Sequence, residues 1–238
     1  METSVEDLLA RFKNGEIGIF KISFSAKVEQ EIRSLWEWGI DRISDTSIRQ
    51  AVKYYYLYKV PDQFFSAPSS TSGKHPYWHN VPGGLVRHLT ECCISADRLL
   101  GIFGFVEDDD RTVSAFARDI VLAATVITDT QKNGIPWGDS SVRNHGEIAA
   151  KVWRDVAETC KLPADITDQI AEAVHYHYGR YTQVPEGQSK KRLNDLPGLV
   201  KIVHLLDVCS SNRDNELIYR PVDRIPSFLE VSDIKFLF

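Results

Sequence analysis

Ile120-Val-Leu-Ala-Ala-Thr-Val-Ile-Thr128-Asp129 is the stretch that decides the fold. Its residues are apolar on nearly every side, and a helix that is apolar all round is a buried helix. An ionised carboxylate at the end of such a helix needs a partner, because leaving the charge alone costs several kcal/mol. The sequence therefore predicts a central helix that carries Asp129 to a polar site inside the protein.

The segments around this helix repeat the helical period. Lone Gly or Pro residues and short polar loops separate them, and residues 66–84 form the most irregular connection. Residues 16–25 alternate as an extended segment does, and the tail from Pro221 reads mostly as connection. We therefore predict an all-α fold, a helical bundle with helices at residues 4–14, 27–38, 46–58, 85–103, 112–128, 144–161, 164–178 and 196–211.

Composition limits the class of protein. The chain has 238 residues, 43% of them hydrophobic and 26% charged, which is typical of a globular protein and not of a disordered or fibrous one. Its formal charge of −5 argues against a broad basic surface for long nucleic acid. The four cysteines form no Cys-x-x-Cys pair, and no signal peptide or membrane span is evident. We expect a cytoplasmic protein with reduced thiols and no membrane partner.

Five titratable residues lie in the apolar stripes of separate helices: His88, Asp129, His145, His177 and Asp207. Taken singly, each is best read as an ordinary core histidine or as a helix cap or ion-pair partner. Taken together, three imidazoles and two carboxylates are the ligands of a divalent cation such as Mn, Fe, Mg, Zn, Co or Ni. The set predicts one or two metal ions per chain.

The same residues fall in an ordered series of motifs that resembles the HD-domain superfamily of metal-dependent phosphohydrolases. The resemblance runs from about Ser66 to Arg213. Its motifs are His79-Asn-Val-Pro-Gly-Gly-Leu-Val-Arg-His88, Ala123-Ala-Thr-Val-Ile-Thr128-Asp129-Thr-Gln-Lys132, Asn144-His145-Gly-Glu, His175-Tyr-His177-Tyr-Gly179-Arg180 and Val203-His-Leu-Leu-Asp207. It implies an HD-like domain at residues 61–238, preceded by a helical extension at residues 1–60 that the resemblance does not cover.

Thr128 is the main departure from the family, because it stands where the signature His-Asp pair has its histidine. The resemblance implies a first metal on His88, the missing histidine, Asp129 and Asp207. It implies a second metal on His145, His177 and a bridging Asp129. A hydroxyl is a poor transition-metal ligand beside imidazole, so the first site is weakened and the second is whole.

The resemblance also implies a mechanism, in which a metal-activated water attacks phosphorus. Asp129 would hold metal and orient that water. Lys132 and Arg180 are candidates to hold the phosphate, with solvated helix-end cations as the equal alternative. His79 and His204 are candidate partners that fix a ligand's tautomer, or else surface histidines.

Three functions remain open at this point. The chain is a hydrolase of a nucleotide or related phosphoester, a degenerate HD domain that binds without turnover, or a nuclease-type phosphodiesterase. The acidic charge favours a small phosphorylated substrate over nucleic acid. The basic run Ser189-Lys-Lys-Arg192 reads as solvated, although it can also reach a substrate phosphate. Four loop aromatics can stack a base or simply pack at the rim: Tyr77, Trp78, Trp137 and Tyr181.

Overall fold

The structure is a computed structural model that describes residues 4–14, 25–70, 75–104, 115–184, 187 and 189–211. Within these ranges it is all-α and contains no strand, which confirms the predicted fold class. The predicted extended segment, apart from Ser25, and the tail from Pro221 lie outside the described residues. In the part of the chain that is described, no helix combines the length and the apolar character needed to cross a membrane.

The described α-helices follow one another through short connections. They are α1 (Val5–Asn14), α2 (Ala26–Trp38), α3 (Thr46–Tyr58), α4 (Asp62–Ser66), α5 (Gly84–Gly104), α6 (Ala115–Ile127), α7 (His145–Thr159), α8 (Ala164–Tyr176) and α9 (Gly198–Ser211). Single 3₁₀ turns at Ile40–Arg42, Tyr77–His79, Gly179–Tyr181 and Leu193–Asp195 join some of them.

Most helix bounds agree with the sequence pattern to within three residues. At the start of α3, the side chain of Asp45 accepts hydrogen bonds from the main-chain N–H groups of Ser47 and Ile48, as an N-cap should. The short helix α4 was not predicted, because Pro61 was read only as the stop of α3. It is instead the N-cap of α4, with the fixed φ that suits a helix start.

Helix α6 is the centre of the bundle, as its apolar sequence predicts. Every residue from Ile120 to Ile127 is buried. The helix packs against α3, α5, α8 and α9. The end of α6 therefore opens into the middle of the protein, where the neighbouring helices can bring their polar side chains to Asp129.

The described part of residues 1–60, namely residues 4–14 and 25–60, supplies part of the same core. Tyr55 on α3 shares a 2.7 Å hydrogen bond between its hydroxyl and Oγ1 of Thr130. The neighbouring Tyr56 hydroxyl donates to the carbonyl oxygen of Val126 at the end of α6. Helix α2 also packs along α5. The division of the chain near residue 60 stays a prediction, but α3 directly supports the turn that carries Asp129.

Candidate metal centre

Five elements converge on one buried position. Helix α6 ends at Ile127, so Thr128 and Asp129 begin the turn that follows it. His88 lies in the second turn of α5, His145 is the first residue of α7, His177 directly follows α8, and Asp207 lies on α9. All five predicted metal-ligating residues are therefore brought together: His88, Asp129, His145, His177 and Asp207.

The Asp129 carboxylate is the shared member of this group. Its Oδ1 lies 3.2 Å from Nε2 of His145 and 3.6 Å from Nε2 of His177. Its Oδ2 lies 3.5 Å from Nε2 of His88. The side chain is only 2% exposed, so these are contacts inside the protein.

His145 and His177 are held in a single tautomer. Nδ1 of His145 is 2.7 Å from the carbonyl oxygen of Val142, and Nδ1 of His177 is 2.6 Å from that of Val174. A carbonyl can only accept, so each Nδ1 carries the proton and donates it. When it is neutral, each imidazole therefore presents the lone pair of Nε2 toward Asp129, as metal-ligating histidines usually do.

This arrangement leaves three electron pairs facing one another. The two Nε2 atoms are 3.1 Å apart, and both lie close to Oδ1 of an ionised carboxylate. Such a contact is stable only when a proton or a metal cation sits between the atoms. The donor set fits a divalent metal, because one ligand atom from each of Asp129, His145 and His177 lies within 4.8 Å of the other two.

A second donor group shares Asp129. It comprises His88, Asp129 and Asp207, with ligand atoms again within 4.8 Å of one another. Nε2 of His88 is 3.0 Å from Oδ1 of Asp207, and its Nδ1 is 2.9 Å from the hydroxyl of Ser210. The two groups correspond to the two metal sites that the sequence resemblance implied, without the missing histidine.

Thr128 does not replace that histidine as a ligand. Its hydroxyl donates a 3.0 Å hydrogen bond to the carbonyl oxygen of Thr125, one turn back along the chain, and the residue is 3% exposed. A hydroxyl engaged in this way supports the helix end.

The electrostatics of the cluster keep Asp129 ionised. Burial alone would raise the pKa of this carboxyl, but Lys132 and the imidazoles of His145 and His177 hold the pKa well below its ordinary value. The Lys132 ammonium lies 2.7 Å from Oδ2 of Asp129. Burial would lower the pKa of Lys132, yet the Asp129 anion raises it, so the lysine is also charged.

A cavity of about 340 Å³ opens onto these groups. Asp129, Lys132, His145 and Asp207 lie in its wall, so the predicted phosphate contact of Lys132 and the metal-ligating residues face the same space. A cavity of this size is in the range that small ligands occupy. The site is therefore both buried and reachable by a small molecule.

Arg180 lies apart from this cavity. It is exposed, its guanidinium stacks 4.8 Å from the ring centre of Tyr181, and it lines a neighbouring surface pocket with Lys190 and Arg192. In the same region Lys191 forms an ion pair with Glu172. The structure thus separates Arg180 and the predicted basic run from the Asp129 cluster.

The predicted tautomer-fixing histidines have other contacts. Nδ1 of His204 is 2.6 Å from the main-chain oxygen of His177, and the Nδ1 of the His177 ring is instead 2.6 Å from the carbonyl oxygen of Val174. Nε2 of His79 is 2.7 Å from Oε2 of Glu91. Among the loop aromatics, Trp78 donates to Glu91, Trp137 packs on the core, and Tyr77 and Tyr181 are exposed.

Among the cavity-lining residues with ionisable side chains, sequence reasoning missed three: His75, Arg143 and Tyr178. His75 and Arg143 come from irregular connections, where no periodicity assigns a face to a side chain. Tyr178 directly follows the ligand-position His177, and its ring centre is 5.4 Å from that of His145. Adjacency to a motif was the one signal that pointed to Tyr178.

Comparisons with known proteins leave the chain without an assigned family. A scan against protein-family models, a search of curated proteins and a search of solved structures each found no match. The function therefore has to be argued from the residues of the site.

We expect metal binding at the Asp129, His145 and His177 group to release a proton. Burial lowers the pKa of His177, but the Asp129 carboxylate overrides this effect and raises the pKa above its ordinary value. The imidazolium therefore persists to higher pH than in a free histidine, and a metal must displace its Nε2 proton. Calorimetric titration in buffers of different ionisation enthalpy should show this release, with affinity that rises as the pH increases through and above the ordinary pKa range of histidine. Affinity that does not change over this range would contradict the prediction.

Proposed function

We propose that this protein is a metal-dependent phosphohydrolase that acts on a nucleotide or a related small phosphoester. The observation that carries the proposal is the position of Asp129, whose two carboxylate oxygens belong to two different His and Asp donor groups beside one cavity. The ordered motifs that resemble the HD-domain superfamily add to it. Such a paired donor set suits two cations that act together on one phosphoryl group.

Bound divalent metal would supply a nucleophilic water at neutral pH and neutralise charge on the phosphoryl oxygens. The protein's own residues then have separate tasks. His145, His177 and Asp129 would hold one ion, and His88 with Asp129 and Asp207 would hold the other. The main-chain carbonyls of Val142 and Val174 keep the first two imidazoles in the ligating tautomer.

Two cations in the cavity wall would bind the substrate's phosphate. The Lys132 side chain is only 13% exposed and lies beside Asp129 in the cavity wall, so its charge is weakly screened and acts on the cavity. Arg143 is exposed in the cavity wall, where a guanidinium can bind two phosphate oxygens at once. A cavity of about 340 Å³ suits a small phosphoester better than a duplex.

The test is hydrolysis measured against metal content. Purified protein is analysed for bound metal, stripped with a chelator and reloaded with Mn²⁺, Fe²⁺, Zn²⁺, Co²⁺ or Mg²⁺. Each form is then assayed with nucleoside mono-, di- and triphosphates and with a bis-aryl phosphodiester. We expect phosphate release that requires the metal and is restored by it. Loaded protein that hydrolyses none of these substrates would contradict the proposal.

A second candidate function is a degenerate HD-like domain that binds a nucleotide without turning it over. Thr128 favours it, because this hydroxyl is engaged with Thr125 and gives the first metal group no further donor. A nuclease-type phosphodiesterase is a third reading, and a steep loss of binding with added salt would favour it.

Thr128→His separates the first two candidates. If the native site is an active hydrolase, its donor set already binds metal without an imidazole at position 128. The substitution then changes kcat/KM for phosphoester hydrolysis by less than about tenfold. Thr128→Gln is the matched control, because it adds bulk and polarity without a good transition-metal ligand. A gain of about a hundredfold or more in Thr128→His alone would favour the degenerate domain.

A further inference from the structure

Three imidazoles form another donor group, on the side of His88 toward the loop that precedes α5. The ring centre of His88 is 5.2 Å from that of His75 and 5.3 Å from that of His79, and the latter two are 5.9 Å apart. One ring nitrogen of each residue lies within 4.8 Å of the other two. This spacing allows a single metal ion to reach all three rings.

The environment of the His79 side chain indicates that this group of histidines binds a ligand. Its side chain is fully buried, and among the described residues its Nδ1 has no hydrogen-bond partner. A buried polar nitrogen without a partner is costly, and such atoms are rare in folded proteins. Because Nε2 of His79 is taken by Glu91, Nδ1 is the nitrogen left to bind a ligand.

Glu91 fixes the orientation of the His79 ring. Its Oε1 accepts hydrogen bonds of 3.1 Å from Nε1 of Trp78 and of 3.1 Å from Nε of Arg87, while Oε2 contacts His79. A carboxylate bonded to one imidazole nitrogen while the other nitrogen faces a site is the usual support of a metal-binding histidine. These contacts of Glu91 fix the orientation of the His79 ring even when no metal is bound.

The other two rings are also held in place. Oγ of Ser69 lies 3.0 Å from Nδ1 of His75, and the main-chain N–H of Ser69 donates a 2.7 Å hydrogen bond to the carbonyl oxygen of His79. His88 is fixed on α5 with Ser210 beside its Nδ1. The loop and the helix therefore present the three imidazoles together.

We propose that His75, His79 and His88 form a tri-histidine binding site for a borderline divalent transition metal, with Zn²⁺ or Co²⁺ as the best match. Three neutral imidazoles favour such ions over Mg²⁺ and Ca²⁺, which prefer oxygen ligands. The site is separate from the Asp129, His145 and His177 group. It does not depend on the proposed hydrolase activity.

His88 links the site to the rest of the cluster. The same imidazole belongs to the group with Asp129 and Asp207, so a metal bound by the three histidines competes with that group for His88. The chain thus has two donor sets for one region, one rich in nitrogen and the other rich in oxygen, with different metal preferences.

Cobalt titration of the double variant Asp129→Asn, Asp207→Asn tests the proposal without any assay of activity. The variant lacks both carboxylates of the main cluster but keeps the three histidines. We expect one Co²⁺ per chain by elemental analysis, with a visible ligand-field spectrum and an X-ray absorption shell of imidazole nitrogens. Adding His79→Gln or His75→Gln should weaken this binding by about a hundredfold or more.

His175→Gln is the matched control, since His175 bonds only to the main-chain oxygen of Gln183 among the hydrogen bonds described for its ring and lies outside the trio. It should leave Co²⁺ binding unchanged. A folded double variant that binds no Co²⁺, or that binds it equally with and without His79, overturns the proposal. If circular dichroism shows that the double variant is unfolded, the comparison is made in the otherwise native chain. There His79→Gln should lose one Co²⁺ per chain and His175→Gln none, and an equal content in both would overturn the site.

Discussion

Asp129→Asn is expected to weaken Mn²⁺ binding by at least about a hundredfold and to reduce phosphoester hydrolysis below detection. Both effects follow from the geometry, because the two carboxylate oxygens serve different donor groups. The amide keeps one neutral oxygen and replaces the other with an NH₂ group that cannot ligate a cation. Mn²⁺ is a suitable probe, because it prefers ligand sets that contain oxygen. It should therefore bind the Asp129 groups in preference to the three imidazoles of His75, His79 and His88.

The substitution also changes the charge balance inside the protein. Lys132 loses the carboxylate 2.7 Å from its ammonium, and a buried charge that loses its partner is destabilising. Circular dichroism and a urea titration must therefore accompany the metal measurement. His145→Gln provides a second variant, because it removes one donor from one group and leaves Asp129 with Lys132.

The control for Asp129→Asn is Asp168→Asn. Asp168 is 66% exposed and pairs with Arg154 on the surface, so the change removes the same charge from a place where it contributes little. Mn²⁺ affinity in this control should equal that of the native chain. A folded Asp129→Asn protein that still binds Mn²⁺ normally would show that Asp129 is not a metal ligand.

The sequence predicted which of these titratable side chains lie on inward faces, because helices give each residue a face. His88, His145, His177 and Asp207 were picked out by their apolar neighbours three and four residues away, and the structure brings all four to Asp129. The burial of α6 was predictable for the same reason. Periodicity can place a side chain on the inward face even when the tertiary packing is unknown.

The residues that the sequence analysis missed, and Arg180, lie in turns and loops, where helical periodicity does not assign a direction to a side chain. His75 and Arg143 belong to irregular connections, whose side-chain directions depend on the whole packed structure. Arg180 lies on a 3₁₀ turn after α8, and its stacking on Tyr181 turns it toward a different pocket. A motif position can place a residue along the chain, but only the turn geometry decides which cavity it faces.

Gly84→Ala is expected to destabilise the protein by about 3 kcal/mol, at the upper end of what overpacking costs. A Cβ at this position would lie 2.1 Å from the carbonyl oxygen of His79 and 2.5 Å from its carbonyl carbon. These are main-chain atoms, so no side-chain rotation relieves the clash. The 3₁₀ turn at Tyr77–His79 or the start of α5 has to move.

That movement would also reach the metal-ligating residues. The His79 carbonyl oxygen accepts the hydrogen bond from Ser69, and Gly84 begins the helix that carries His88 one turn later. We therefore expect Gly84→Ala to lower Co²⁺ affinity as well as the urea midpoint. Gly198→Ala is the matched control, because nothing lies within 4 Å of a Cβ added at the first residue of α9. Its stability should change by no more than about 0.5 kcal/mol, and equal urea midpoints for the two variants would show that the close contact of Gly84 with His79 is not required.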